Sequence, residues 1–150
     1  MAEILRPLGL HWRTALLREL ALTIVASGVP KTHDELRRLP GVGQYAASAY
    51  LSLHRETRAV LIDANIVRWL CRMTGKPMNG ETRRQRWIHE LGESLTPKRA
   101  FRAYNYAALD FTMNICGKKP RCGECPIRRH CAYGCASAPP EGILNGHHAQ

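Results

Sequence analysis

Long apolar runs are missing from this sequence. Its first twenty residues carry charges that interrupt the continuous apolar core of a secretory signal peptide, and these are Glu3, Arg6, Arg13, Arg18 and Glu19. No stretch approaches the length of a membrane-spanning helix. These absences argue against export and against a membrane partner, so we expect a cytoplasmic protein.

Strand-like alternation of apolar and polar residues is almost absent too, and no internal repeat is found. Helical spacing is common instead, which predicts an all-α fold. The 150 residues have room for one ordinary domain or for two small lobes. Apolar residues from Leu16 to Val25 recur at helical spacing in a first helix that "ASGVP" ends, and "THDELRRL" predicts a short helix capped by Thr32. Further helices are predicted in "QYAASAYLSLH", from Asp63 up to a stop at Gly75, and in "GETRRQRWIHELGESLTP" and "PKRAFRAYNYAALDFTMNIC".

Acidic side chains are scarce. The chain has 12 Asp and Glu against 22 Lys and Arg, which leaves a net charge of +10. Such a balance is typical of proteins that bind polyanions. Nucleic acid is the leading partner on charge alone, with ribosomal and membrane-surface proteins as the alternatives.

The stretch "LPGVGQ" places two glycines directly before a predicted helix. Gly41-Val42-Gly43 would present three successive backbone N–H groups near the helix N-terminus, where the dipole favours an anion. Val42 can anchor the hairpin in the core, and Gln44 begins the helix. This arrangement suits a DNA phosphate. A tight turn between two helices is the competing interpretation.

Asp63 stands alone in an apolar setting, between "VLI" and "ANIVRW". A helix N-cap explains an aspartate at this position without any chemistry. A capping carboxylate beside a pocket can also act on a substrate, as a base or as the partner of a developing cation. The two interpretations do not exclude each other.

Cys116, Cys122, Cys125 and Cys131 follow the pattern C-x5-C-x2-C-x5-C. A disulfide framework is disfavoured in a chain without an export signal. Four thiolates so close in sequence can hold an iron–sulfur cluster or a structural zinc ion. Zinc ribbons usually have two CxxC pairs and this run has one, which favours a [4Fe–4S] cluster. Cys135 stays open as a substitute ligand.

The segments "LPGVGQYAASA", "LIDANIVRW", "YNYAALDF" and the cysteine run follow one another between about Leu8 and Cys131. Together they resemble the helix-hairpin-helix DNA glycosylases of the endonuclease III and adenine glycosylase superfamily. The resemblance implies an all-α helix-hairpin-helix fold with a C-terminal iron–sulfur cluster loop. It also implies base-excision repair, in which an extruded base is released by hydrolysis of its N-glycosidic bond.

The resemblance assigns roles to the candidate residues. Asp63 matches the catalytic aspartate, the Gly41–Gln44 stretch matches the hairpin that binds the DNA backbone, and the four cysteines match the cluster ligands. Tyr45 stands where strand-cleaving members have a lysine, so the resemblance implies a glycosylase without lyase activity. Tyrosine followed by "DAN" at the aspartate favours T/G or U/G mismatches, with adenine opposite guanine or oxidised guanine as the alternative.

The expected partner is double-stranded DNA with a mispaired base, bound by a monomer associated with the nucleoid. We expect a helical core over 1–115, a cluster loop over 116–135 and a flexible tail over 136–150. The chain departs from the family twice: the family's N-terminal helices have no counterpart, which suggests truncation, and the first cysteine spacer is one residue short. A non-catalytic DNA-binding fragment and a zinc-stabilised interaction domain are the competing functions.

Overall fold

The protein is described by a computed structural model that covers residues 13–137. All regular secondary structure in that range is helical, which confirms the all-α prediction. The α-helices are α1 (Thr14–Ser27), α2 (His33–Arg37), α3 (Gln44–His54), α4 (Ala64–Thr74), α5 (Arg86–Leu95), α6 (Phe101–Asn114) and α7 (Ala132–Ala136). Single 3-10 turns lie at Thr82–Arg84, Cys122–Glu124 and Arg128–His130.

None of the helices in the described range is long and apolar enough to span a lipid bilayer.

Side-chain caps and one glycine set the helix ends near the hairpin and α4. Thr32 and Glu35 form a capping box at α2, in which each side chain accepts a hydrogen bond from the other residue's backbone N–H. Asp63 caps the N-terminus of α4. Gly75 ends α4 with φ +72°, in the left-handed region that favours glycine. These ends were predicted from the sequence and are confirmed.

One helix prediction was wrong in detail. The single helix predicted over "GETRRQRWIHELGESLTP" is a 3-10 turn followed by α5, because Gln85 between them has an extended backbone with ψ 140°. The segment predicted as a cluster loop over 116–135 ends in the short helix α7. Residues 138–150 of the predicted tail lie outside the described residues.

The apolar core is divided into two clusters, which matches a two-lobed chain. The first cluster joins α2, the hairpin and α3 through Leu36, Leu39, Ala47 and Leu51. The second lies around α4, α5 and α6 and consists of Ile62, Ile66, Val67, Leu70, Cys71, Ile88 and Ala108. Each fully buried aliphatic side chain contributes about 1.5–3 kcal/mol.

Helix α1 forms as its apolar spacing predicts, yet it has no buried residue. Leu22 is 61% exposed and Val25 is 86% exposed. Part of the apolar surface of α1 is therefore left uncovered by the described part of the chain, although Leu20 packs against the first core cluster.

Polar contacts fix the segment that connects α3 to Asp63. The buried amide of Asn105 donates to the Ser52 hydroxyl at 2.6 Å and to the Ala59 carbonyl at 3.0 Å. The Arg58 guanidinium pairs with Glu93 and donates to carbonyls at the C-terminal end of α5. A buried amide without partners costs about 1–3 kcal/mol, so these bonds hold the segment firmly against both lobes.

Candidate functional site

One cavity brings the hairpin, Tyr45 and Asp63 together. It has a volume of about 490 Å³, which lies in the range of small-molecule sites. Its lining residues are Arg13, Gly41, Gly43, Gln44, Tyr45, Ala46, Ile62, Asp63, Arg83, Arg84 and His89. Val42, which the sequence also predicted as a hairpin residue of the site, does not line this cavity and lies against the first core cluster. We call this cavity the cleft.

The structure explains the two hairpin glycines in different ways. Gly41 has φ +72°, a left-handed conformation that other residues adopt only with strain. Gly43 has an extended backbone, φ −89° and ψ 178°, which any residue adopts. A Cβ atom at Gly43 would meet no protein atom within 4 Å. Gly41 is therefore needed for the turn, whereas Gly43 leaves open space over the start of α3.

The predicted row of three free hairpin amides is wrong at its centre. The Val42 N–H donates to the Leu39 carbonyl at 3.1 Å, which closes the turn. The start of α3 supplies amides instead. Its N-cap, Gly43, makes no side-chain cap bond, and the first helical bond runs from the Ala47 N–H to the Gly43 carbonyl at 3.0 Å. The amides of Gln44 and Tyr45 precede that bond, at the positive end of the helix dipole.

Asp63 caps α4, which confirms the N-cap interpretation, and it also lines the cleft, while its action on a substrate stays a prediction. Its Oδ1 accepts a hydrogen bond from the Ile66 N–H at 2.7 Å. Its Oδ2 accepts from the side-chain amide of Asn65 at 3.0 Å. Both carboxylate oxygens are thus oriented by donors on the first turn of α4, and the helix N-terminus favours the negative charge.

Tyr45 lies on α3 beside Asp63 and is 37% exposed. Burial raises the pKa of the Tyr45 phenol, and the charge of Asp63 raises it further. The phenol therefore keeps its proton at neutral pH and can donate a hydrogen bond into the cleft.

Arg83, Arg84 and His89 form a second wall of the cleft that the sequence did not predict. Both arginines lie in the 3-10 turn before α5, and the His89 Nε2 atom is 2.8 Å from the Arg83 carbonyl. The Nδ1 atom of His89 lies 3.5 Å from the Gln44 amide nitrogen. Only the charge run "RRQR" signalled this wall, because folding brings it to the hairpin from about forty residues away.

The four cysteines of the predicted cluster run line a second cavity. Burial raises the pKa of the Cys125 thiol, a bond from the Ile127 N–H lowers it, and the charges of the other three sulfurs raise it. The other residues of the cavity wall are mostly apolar or basic: Trp69, Arg72, Phe111, Ile115, Pro120, Arg121, Ile127, Arg128, Tyr133 and Gly134. The structure therefore places the four predicted sulfur ligands around one cavity.

Backbone and guanidinium donors reach two of these sulfurs. The Gly134 N–H lies 3.4 Å from the Cys131 sulfur, and Arg72 lies 3.6 Å from the Cys116 sulfur. Trp69, also on the wall, has a buried indole N–H without a partner among residues 13–137. Within that range no three metal-ligating side chains are close enough to hold one ion.

Cys135 lies apart from this arrangement. It is exposed and is not among the residues that line the cysteine cavity. Its thiol donates to the carbonyls of Arg128 and Arg129. The geometry therefore leaves the four residues of the original pattern as the candidate ligand set.

Helix α4 connects the cleft to the cysteine loop. The Arg68 guanidinium donates to the Asn65 side-chain oxygen at 2.9 Å and to the Cys116 carbonyl at 3.1 Å. Asn65 in turn holds Asp63. One turn later Arg72 donates to the Gly117 carbonyl at 2.6 Å. A continuous chain of hydrogen bonds therefore runs from Asp63 to the first cysteine.

Sequence comparison finds several DNA glycosylases. The chain is 31% identical to the thymine/uracil-DNA glycosylase of Methanothermobacter thermautotrophicus over 138 residues, which cover 89% of this chain and 62% of that protein. It is 35% identical to the thymine-DNA glycosylase of Aeropyrum pernix, covering 87% and 62%. It is 30% identical to the rat adenine DNA glycosylase, covering 83% and 25%. No protein-family profile matches the chain.

Structure comparison agrees with these similarities. A thermostable thymine-DNA glycosylase superposes with a TM-score of 0.74 and 30% identity, covering 84% of this chain and 60% of that one. Endonuclease III in a non-covalent DNA complex superposes with a TM-score of 0.77 at 21% identity, covering 90% and 64%, which supports the fold. The chain spans less than two thirds of the length of these proteins.

Proposed function

Because the chain belongs to the helix-hairpin-helix DNA glycosylase superfamily, we propose that it releases a mispaired thymine or uracil from double-stranded DNA. The single observation that carries the proposal is the Asp63 carboxylate, held by two donors in a cleft whose other wall is the uncapped start of α3. The bond broken is the N-glycosidic bond, and the second substrate is water.

Asp63 is proposed to act on the sugar of the extruded nucleotide. Loss of the base leaves positive charge on the sugar, and a carboxylate beside it stabilises that charge. The same carboxylate can orient the attacking water and accept its proton. The bonds from the Ile66 N–H and the Asn65 amide keep the carboxylate in place, so little reorganisation accompanies the reaction.

Tyr45 supports a reaction without strand cleavage. Strand cleavage of the kind expected for a lysine at this position needs an amine that forms an imine with the sugar, and a phenol cannot form one. Because the pKa of Tyr45 is raised, its protonated hydroxyl remains a donor at neutral pH. The product is then free base and an abasic site in an unbroken strand.

The hairpin is proposed to hold the DNA backbone. The open space over Gly43 lets a phosphate approach the N-terminus of α3, where the Gln44 and Tyr45 amides precede the first helical bond. This contact positions the strand without reading its bases. Gly41 contributes by making the turn, and Val42 by anchoring the hairpin in the first core cluster.

The cysteine cavity is proposed to hold a structural [4Fe–4S] cluster. Cys116, Cys122, Cys125 and Cys131 would supply the thiolates, and the donors from Arg72 and Gly134 suit charged sulfur. When bound, the cluster supplies a cross-link that holds the loop together. Iron analysis and visible absorbance of anaerobically purified protein test this assignment: about four irons per chain support it, and one zinc per chain contradicts it.

Adenine opposite guanine or oxidised guanine is the second candidate substrate. Its support is the similarity to adenine DNA glycosylases of rat and human, each 30% identical over 132 residues. Tyr45 and the thymine/uracil relatives favour the mismatched pyrimidine.

The test is a panel of labelled duplexes that contain T/G, U/G, A/G or A opposite oxidised guanine, each incubated with protein and then split into alkali-treated and untreated halves. We expect breaks at T/G and U/G after alkali only. Breaks only in the duplexes that contain A/G or A opposite oxidised guanine would make adenine the substrate and exclude the mismatched pyrimidine. Intact strands in every duplex, with salt-sensitive binding retained, would make the chain a non-catalytic DNA-binding module.

A further inference from the structure

The wall of the cleft before α5 carries two neighbouring arginines with unequal surroundings. Arg84 donates to both carboxylate oxygens of Glu81, at 2.8 Å and 2.7 Å. The Arg83 guanidinium has no hydrogen bond or ion pair with any residue in the range 13–137. Both residues are exposed and both line the cleft. One charge is therefore neutralised within the protein and the other is available to a ligand.

The backbone beneath Arg83 is held on both sides. The preceding residue, Thr82, is fully buried, and its hydroxyl accepts a bond from the Asn79 N–H at 2.9 Å. The Arg83 carbonyl lies 2.8 Å from Nε2 of His89 on α5. Because a carbonyl only accepts, Nε2 carries the proton in this bond. The free guanidinium thus extends from a backbone that is held in place.

His89 also faces the hairpin helix. With Nε2 protonated, the neutral ring has its acceptor at Nδ1, which lies 3.5 Å from the Gln44 amide nitrogen. Gln44 is the first residue of α3, where the hairpin amides lie. His89 therefore connects the backbone of Arg83 to the start of α3, where the proposed phosphate site lies, and it sets the distance between Arg83 and that site.

From this geometry we propose that Arg83 binds a second phosphate of the duplex held by the hairpin, so that the DNA backbone is gripped at two walls of the cleft. A planar, permanently charged guanidinium with unused donors matches phosphate oxygens. The inference rests on the proposed function, since it takes DNA as the ligand. His89 is a positioning residue in it.

The test is equilibrium binding of a T/G duplex by fluorescence anisotropy over a range of KCl concentrations, in the Asp63→Asn background so that the substrate persists. Removing one protein–phosphate interaction makes the plot of log affinity against log salt shallower by about 1. We expect Arg83→Gln to show that change and to weaken binding roughly three- to tenfold at low salt.

Two variants are matched controls. Arg55→Gln removes one positive charge at the far end of α3 from the hairpin. The double variant Glu81→Gln/Arg84→Gln removes the neighbouring ion pair with no net change in charge. Arg55→Gln is expected to keep the wild-type slope, since an exposed charge more than about 10 Å from the DNA is screened at moderate salt. The double variant is expected to keep it because Glu81 already neutralises Arg84 within the protein.

An Arg83→Gln slope equal to that of Arg55→Gln would overturn the proposal, because losing Arg83 would then remove no protein–phosphate interaction beyond what any single charge removes. His89→Gln should weaken binding without changing the slope of log affinity against log salt. The Arg83 charge remains in this variant, but the Arg83 backbone loses its bond to His89. Duplex binding with the Arg83 effect, but with no base release by the wild-type protein, would refute the proposed function and leave the phosphate contact standing. Absence of duplex binding by the wild-type protein would overturn both.

Discussion

The cleft and the cysteine loop are held in place by different kinds of contact. The cleft rests on backbone geometry close in sequence: the left-handed Gly41, the start of α3 and the cap of α4 at Asp63. The loop from Cys116 to Cys131 has two 3-10 turns and is fastened to the protein largely by arginine side chains that reach its carbonyls. The hairpin and Asp63 walls of the cleft are held by local backbone contacts, whereas the loop depends on side-chain anchors from α4 and, in the proposed function, on its cluster.

Helix α4 is where the two regions meet. Asp63 caps its first turn, Arg68 reaches the loop from its second turn, and Arg72 does so from its third. Damage to the loop should therefore reach the cleft only through residues that also contact the first turn. Arg68 does this through Asn65, and Arg72 does not.

The largest expected effect lies in the cleft. Asp63→Asn should lower the rate of base release about 10²- to 10⁴-fold, because the carboxylate proposed to stabilise the positive charge on the sugar is lost. Stability should change by less than about 0.5 kcal/mol, since asparagine caps a helix about as well as aspartate. Single-turnover base release and urea unfolding measure the two quantities.

Asp110→Asn, an exposed acid on α6, is the matched control and should keep the wild-type rate. A rate for Asp63→Asn within tenfold of wild type would remove Asp63 from the chemistry.

The loop anchors come next. Arg72→Met and Arg68→Met should each destabilise the protein by about 1.5–3 kcal/mol. Arg72→Met leaves the Gly117 and Lys118 carbonyls of the loop without a charged donor, and Arg68→Met leaves the Thr112 carbonyl of α6 without one. Only Arg68→Met should also slow base release several-fold, since it frees the side chain of Asn65 beside Asp63. Urea unfolding and single-turnover kinetics of both variants test this difference, and equal kinetic effects would contradict the α4 connection.

The hairpin glycines separate folding from binding. Gly41→Ala should cost about 1–2 kcal/mol of stability, because its φ of +72° strains any side chain. Gly43→Ala should leave stability within about 0.5 kcal/mol, since its Cβ meets no protein atom, yet it should weaken duplex binding by crowding the phosphate. Thermal unfolding and duplex titration decide this. Normal DNA affinity in Gly43→Ala would argue against the phosphate site.

The smallest effect is on the ionisation of Tyr45. Its raised pKa should fall in Asp63→Asn but stay above the usual tyrosine range, because burial is the larger cause and remains. The folded protein holds this proton more tightly than the unfolded chain. The contribution of Tyr45 to folding stability is therefore fully present at pH values below the ordinary tyrosine pKa. It is lost as the pH rises through the raised pKa of Tyr45. NMR titration of labelled tyrosine measures the shift, and a value unchanged by Asp63→Asn would contradict it.

Local signals explain what was predictable. Thr32 with Glu35, Asp63 and Gly75 mark helix ends through contacts within a few residues, so their spacing alone predicts them. The cleft's hairpin, aspartate and tyrosine also lie within one short stretch. The family resemblance added their roles.

Long-range contacts explain what was not predictable. Arg83 and His89 enter the cleft because α5 packs near α3, and no local pattern reports that approach. The bond from Arg68 to Cys116 joins residues 48 positions apart. The break at Gln85 depends on an extended residue inside a helical pattern, and nothing in its side chain requires it.

The most direct test follows a single turnover on a T/G duplex, with free thymine and borohydride-trapped protein–DNA adduct quantified in the same reaction. Asp63 acting with water beside Tyr45 predicts one thymine released per site, an unbroken strand before alkali, and no trapped adduct. An adduct formed in proportion to the released base would contradict that account, and so would a strand broken before alkali.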